Sequence, residues 1–188
     1  NDQGPNNLDG SLNGATWTNG KIGSALDFDG NDYVTVGRQA ALRVADGLTI
    51  SAWVKPGSFD DNQEGIAGYA YDTGPNESGY WLQMNANGSF GFALDGNSGA
   101  MTYLETAGGY STNTWYYVTG TYDGSSIKLY VDGVLGSTGS ANGNVDWYPD
   151  PAKGFQIGRW SDNDDDFRID ATIDEVGVWN RALSISEI

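Results

Sequence analysis

Any chemistry in this chain must proceed without histidine or cysteine, because its 188 residues contain neither. Serine–histidine triads, cysteine nucleophiles and histidine-ligated zinc are thereby excluded. Carboxylates, amides, hydroxyls, guanidinium groups and aromatic rings remain. A retaining glycosidase needs two carboxyl groups about 5 Å apart. The nearest pair in sequence, Asp174-Glu175, consists of strand neighbours that point to opposite faces, and Glu105 and Glu77 stand alone. Binding is therefore expected, and catalysis is not.

Two segments could hold a cation. Asp29, Asn31 and Asp32 share one turn and offer the mixed carboxylate and amide oxygens that calcium takes, although the same residues also form a polar turn that bonds its own backbone. The second segment, Asp162-Asn163-Asp164-Asp165-Asp166, places four aspartates within five residues, which repel unless solvated or neutralised. It is not an EF-hand, since Phe167 and Ile173 stand where glycine and the closing glutamate are required.

A sugar site needs aromatic platforms beside planar polar groups. Alternation over Tyr80 to Asn85 turns Tyr80, Leu82 and Met84 to the core and leaves Trp81, Gln83 and Asn85 on the other face. Tyr69 and Tyr71 on the preceding strand are expected beside them, with Arg159 or Trp160 closing the groove. Trp147 and Tyr148 add two rings outside regular alternation. Trp17, Trp53, Trp115 and Trp179 are assigned to packing, as most large aromatics are.

The elements that must position these groups are strands. Twenty-eight glycines and scattered aromatics suit short strands and tight turns. Period-two patterning marks strands near Ala25 to Asp29, Tyr33 to Val36, Leu48 to Lys55, Ile66 to Tyr71, Tyr80 to Asn85 and Phe90 to Leu94. It resumes over Trp115 to Tyr122, Ile127 to Val131, Val134-Leu135, Phe155 to Trp160 and Thr172 to Trp179, with Asp-Gly turns at 123–124 and 132–133. Residues 1–20 read as a docked loop, and Ser184 to Ile188 hint at a helix. One domain spanning 1–188 is expected, an all-β jelly-roll sandwich of two antiparallel sheets.

Several segments in order carry a family likeness: WTNGKIGSALDF (17–28), DGNDYV (29–34), TISAWV (49–54), WYYVTGTY (115–122), KLYVDG (128–133), QIGR (156–159) and IDEVGVWNRALS (173–184). With these the chain resembles the laminin G-like jelly-roll domains of the concanavalin A-like lectin and glucanase superfamily. The resemblance implies a non-catalytic carbohydrate-binding module, secreted and tethered to a polysaccharide-degrading enzyme, with bound calcium. The catalytic Glu-x-Asp-x-x-Glu strand of the superfamily's glucanases is missing. The likeness also implies that Asp174 approaches the Asp29–Asp32 turn and joins its ligands. By analogy with pentraxins, Asn76 and Glu77 would meet Asp162 and Asp164 at a second calcium site. An adhesion or protein-binding role is the alternative, marked by an exposed apolar patch rather than a groove of Trp and amides.

Charge narrows the partners. Twenty-five acidic residues against nine basic ones give a formal charge of −16, which opposes nucleic acid and anionic glycans and favours a neutral polysaccharide or oligosaccharide. No run approaches the length of a membrane helix, and with no charged-then-apolar leader at Asn1 the chain reads as a mature or excised piece of a larger secreted protein.

Overall fold

In Leu48–Pro56, Leu48, Ile50, Ala52 and Val54 are all buried on one side of the strand, and this period of two recurs along the chain. The computed structural model describes residues 4–61, 63–72, 77–96, 101–147, 153–161 and 165–188; for Ala70, Tyr71, Asp72 and Glu77 it describes the backbone alone. The strands are β1 (Ser11–Asn13), β2 (Thr16–Asn19), β3 (Ser24–Asp29), β4 (Tyr33–Gly37), β5 (Leu48–Pro56), β6 (Glu64–Asp72), β7 (Glu77–Asn85) and β8 (Ser89–Asp95). They continue as β9 (Met101–Glu105), β10 (Tyr116–Tyr122), β11 (Ser126–Val131), β12 (Val134–Ser140), β13 (Phe155–Ile157), β14 (Arg159–Ser161), β15 (Asp166–Arg168) and β16 (Asp170–Trp179).

Two seven-stranded sheets form, in the orders β1-β4-β13-β6-β7-β8-β9 and β12-β11-β10-β5-β16-β3-β2, while β14 and β15 make a separate hairpin. Non-consecutive neighbours such as β13 between β4 and β6 are the crossovers of a jelly roll. The core lies between the sheets, where Ile66, Tyr69, Tyr80, Leu82, Met84, Phe90, Phe92 and Leu94 of the first meet Leu48, Ile50, Val118, Tyr122, Ile127 and Leu129 of the second. Among the described residues no helix is long and apolar enough to cross a membrane.

Three expectations are corrected. The first 20 residues are not all loop: Ser11–Asn13 and Thr16–Asn19 are edge strands, paired to β4 and β3. The run 155–160 is split, because the chain leaves the sheet at Gly158 and β14 crosses over β6. That crossing needs a bare backbone beneath it, since a Cβ at Gly65 would lie 2.1 Å from the Trp160 nitrogen. Ser184 to Ile188 make a turn, with Ser184 bonded to Glu187, and no helix.

Candidate functional site

The strand β7 has the alternation expected of it: Tyr80, Leu82 and Met84 enter the core, and Trp81, Gln83 and Asn85 take the outer face. That outer face is not open at this point. Trp81 is 5% exposed and Gln83 only 1%. The β14–β15 hairpin lies across it, with the Trp160 ring centroid 5.5 Å from that of Trp81 and Phe167 5.6 Å from Trp160. Trp81, Ala93 and Trp160, with Met101 and Phe167 against them, form a small apolar cluster separate from the main core. Gly68 opposite Trp81 permits this, since a Cβ there would sit 2.3 Å from the Cβ of Trp81.

From Trp81 a row of hydrogen bonds runs along the outer face. Trp81 Nε1 donates to Gln83 Oε1 (2.5 Å), Gln83 Nε2 donates to Asn85 Oδ1 (2.6 Å), and Asn85 Nδ2 donates to Ser89 Oγ (2.9 Å) and to the Tyr103 hydroxyl (2.8 Å). Gln83 Nε2 also reaches the Tyr103 hydroxyl at 3.3 Å. Ser89 Oγ donates to Glu105, which also accepts from Asn87 Nδ2 at 2.8 Å. The row therefore surfaces at β9, where Tyr103 is 43% exposed and Glu105 and Asn87 are open to solvent. The Tyr103 ring lies over Gly91: a Cβ there would stand 2.8 Å from the ring and 2.6 Å from its hydroxyl. Partial burial raises the Tyr103 pKa, the Asn85 hydrogen bond lowers it, and Glu105 raises it again, for a net upward shift. The phenol is thus neutral at physiological pH. A fixed ring with one free face, a carboxylate and an amide beside it can stack on a sugar and bond its hydroxyls.

Sequence reasoning missed Tyr103, Glu105, Ser89 and Asn87. The alternation of Met101–Glu105 was available, since Leu104 packs inward while Tyr103 and Glu105 face out, but a single buried residue in five is a faint signal. Other expected sugar contacts are dispersed. Tyr69 is paired with Tyr80 and buried on the core face, so it is not beside Trp81. Tyr71 is paired through its backbone with Ser78. Trp147 plugs one end of the core against Tyr69 and Tyr80, with its Nε1 donating to the Val44 carbonyl at 3.0 Å. Trp160 lies over the outer face as a buried cover, while Arg159 pairs with Asp166 within the hairpin and lies against the Tyr33 ring. Tyr148 lies outside the described residues.

The first calcium set does not come together. Asp174 accepts the N–H groups of Ile22 and Glu175, both at 2.9 Å, and so holds the β2–β3 turn. Asp29 is opposite Asp170, four residues along β16, which places Asp174 about 13 Å away at strand spacing. The turn also satisfies itself: Asn31 N–H bonds Asp29 Oδ1 (3.0 Å) and Asp29 N–H bonds Asp32 Oδ2 (3.3 Å). The main-chain oxygen of Asn31 is taken by Arg168 Nη1 at 2.5 Å. These residues do not fit calcium as folded, and among the described residues no three acidic, histidine or cysteine side chains form a metal-holding group. Of the second set, Asn76, Asp162 and Asp164 lie outside the described residues, as does the side chain of Glu77.

Two antiparallel seven-stranded sheets with jelly-roll crossovers define a lectin-type sandwich. The model of the concanavalin A-like lectin/glucanases superfamily, in its laminin G-like branch, matches residues 28–188, and the chain belongs to that superfamily. No curated protein sequence matches it. Among solved structures it is similar to the binding domain of Paraclostridial mosquitocidal protein 1 (TM-score 0.72, 16% identity, 97% of this chain and 46% of that one). It is also similar to domain 4 of an extracellular arabinanase from Geobacillus stearothermophilus, solved with arabinotriose (0.70, 20%, 95% and 85%). A third is a Trypanosoma rangeli sialidase mutant with trans-sialidase activity (0.65, 21%, 95% and 28%). The chain thus spans less than half of the mosquitocidal binding domain and most of the arabinanase domain.

Proposed function

We propose that the chain is a non-catalytic carbohydrate-binding module that takes a neutral glycan at the β8–β9 edge of the first sheet. The observation that carries this reading is the exposed Tyr103 ring, laid over Gly91 and fixed through its hydroxyl by Gln83 and Asn85, with Glu105 and Asn87 beside it. A platform held in place before binding loses little conformational entropy when a sugar stacks on it. The arabinotriose complex of the similar arabinanase domain supports the reading. The lack of histidine and cysteine supports binding over catalysis. A secreted address, a tethered catalytic domain and calcium held by Asn76, Glu77, Asp162 and Asp164 belong to the same proposal and rest on the sequence. The test is a neutral-glycan array followed by calorimetry. Tyr103→Ala should bind at least about tenfold more weakly, ~1.4 kcal/mol, at unchanged fold. Equal binding by the variant, or release of reducing sugar, overturns the reading.

A protein-binding role has one observation in its favour. Leu12, Trp17 and Ile22 are exposed on or beside the edge strands β1 and β2, Trp17 at 63% and so not the packing residue expected of it. Trp17→Ser would abolish partner capture on that reading and leave glycan binding untouched on ours.

A further inference from the structure

The Asp29–Asp32 turn is a sequence suited to calcium in a fold that does not assemble calcium's ligands, and a cation is nevertheless present there. Arg168 projects from β15 onto the turn, donating Nη1 to the Asn31 carbonyl. Its other nitrogens bind Asp166, Nη2 to Oδ2 at 3.0 Å and Nε to Oδ1 at 3.2 Å. Asp166 also holds Arg159, at 2.6 and 2.9 Å. Both guanidinium groups lie against the Tyr33 ring, with Arg159 4.4 Å and Arg168 5.4 Å from its centroid. The hydrogen bond to Asp166, against a small cost of burial and with the field of that carboxylate and of Asp32, raises the Arg168 pKa above its ordinary value.

We propose that Arg168 is the resident cation of the Asp29–Asp32 turn, in place of calcium, and that through it the turn latches the β14–β15 hairpin over Trp81. The hairpin carries Trp160, which covers Trp81, and Phe167, which packs against Trp160, and Arg168 adjoins Phe167 on the same strand. A planar fork suits this place better than a spherical ion. It reaches the Asn31 carbonyl and the Asp166 carboxylate together and lies against an aromatic ring. Without the guanidinium the turn keeps its two carboxylates and the freed carbonyl, which are calcium-type oxygens. The hairpin, held otherwise by the Trp81–Trp160–Phe167 stack and by Arg159 against the Tyr33 ring, opens more often. This proposal is independent of the glycan reading, because none of its groups belongs to the Tyr103 platform.

The experiment is a calcium chloride titration of the isotopically labelled chain and of Arg168→Gln and Arg168→Lys, followed by ¹⁵N–¹H spectra, with exchange of the Trp160 indole N–H as a second readout. In the unaltered chain the amides of Gly30, Asn31 and Asp32 should not move with calcium. In Arg168→Gln those amides should shift with calcium, and the Trp160 indole should exchange about tenfold faster. Arg168→Lys, which keeps the charge and loses the fork, should stay silent to calcium yet exchange its Trp160 indole faster than the unaltered chain, and an unchanged rate there overturns the latch should the Gln variant not fold. Saturable calcium shifts at these amides in the unaltered chain overturn the proposal. So does an Arg168→Gln variant whose turn ignores calcium or whose Trp160 indole exchanges at the original rate.

Discussion

The two faces of β7 are both buried, for different reasons. Tyr80, Leu82 and Met84 face the second sheet and belong to a core that draws on eleven of the sixteen strands, and Tyr80 also donates its hydroxyl to the Leu42 carbonyl at 2.8 Å. Trp81, Gln83 and Asn85 are covered by a three-residue-per-arm hairpin at one end and by Tyr103 at the other. One face is closed by the layering of the fold, the other by two local covers. Alternation in a strand fixes which side a residue takes; whether that side is open depends on distant segments. The locally covered face is also the part expected to open below the global unfolding free energy.

The sharpest way to break this comparison is truncation on either face. Tyr80→Ala should destabilise by about 4–5 kcal/mol and Trp81→Ala by about 3, read from denaturant midpoints, because the second cavity can be relieved by movement of the hairpin. Equal losses would show that the hairpin is as rigid as the sheet.

A carboxylate at the boundary between the faces supplies the next effect. Glu64 stands opposite Met84, is 3% exposed, and has one oxygen without a partner, while the neighbouring Gln63 N–H bonds Asn85 Oδ1 at 3.4 Å. Burial pushes its pKa from 4.5 up to about 7, against the lowering effect of N–H groups from Asp60 and Asp61. The folded chain keeps this proton where the unfolded chain has released it, so stability falls as pH rises from 4.5 to 7, by up to about 3 kcal/mol. Glu64→Gln should flatten this slope and raise the midpoint at pH 8 while leaving pH 4 unchanged. A Gln variant with the original slope would place the buried charge elsewhere.

A smaller change tests the platform alone. Gly91→Ala should lift the Tyr103 ring and disturb Gln83, whose Cγ would lie 2.8 Å from the new methyl, with a stability loss of about 1–2 kcal/mol. Glycan affinity should drop by more than that loss accounts for. Unchanged affinity would mean that the ring's position is irrelevant to binding.

These contrasts also show what the sequence could reveal. Strand identity was legible wherever apolar residues recur at every second place over six or more residues, as in β5, β7 and β10, and the ordered family motifs supplied the sandwich. The short edge strands β1 and β2 were not legible, because their residues are exposed and carry no period. The assignment of Trp81, Gln83 and Asn85 to the outer face was correct, but pairing decided their company. Antiparallel register puts Gly68, not Tyr69, beside Trp81, and register is a long-range property. Likewise nothing local in Asp29–Asp32 announces that an arginine more than 130 residues later will occupy the turn.

The central claim is that a glycan binds across the Tyr103 platform. Its most direct test is to titrate the labelled chain with the best neutral oligosaccharide from the array and map the amide shifts. The account predicts the largest saturable shifts at Asn87, Gly91, Tyr103 and Glu105, with those of Trp81 small behind its hairpin. Shifts centred on the second sheet or on the Trp147 end of the core, with the β8–β9 edge unmoved, would contradict it.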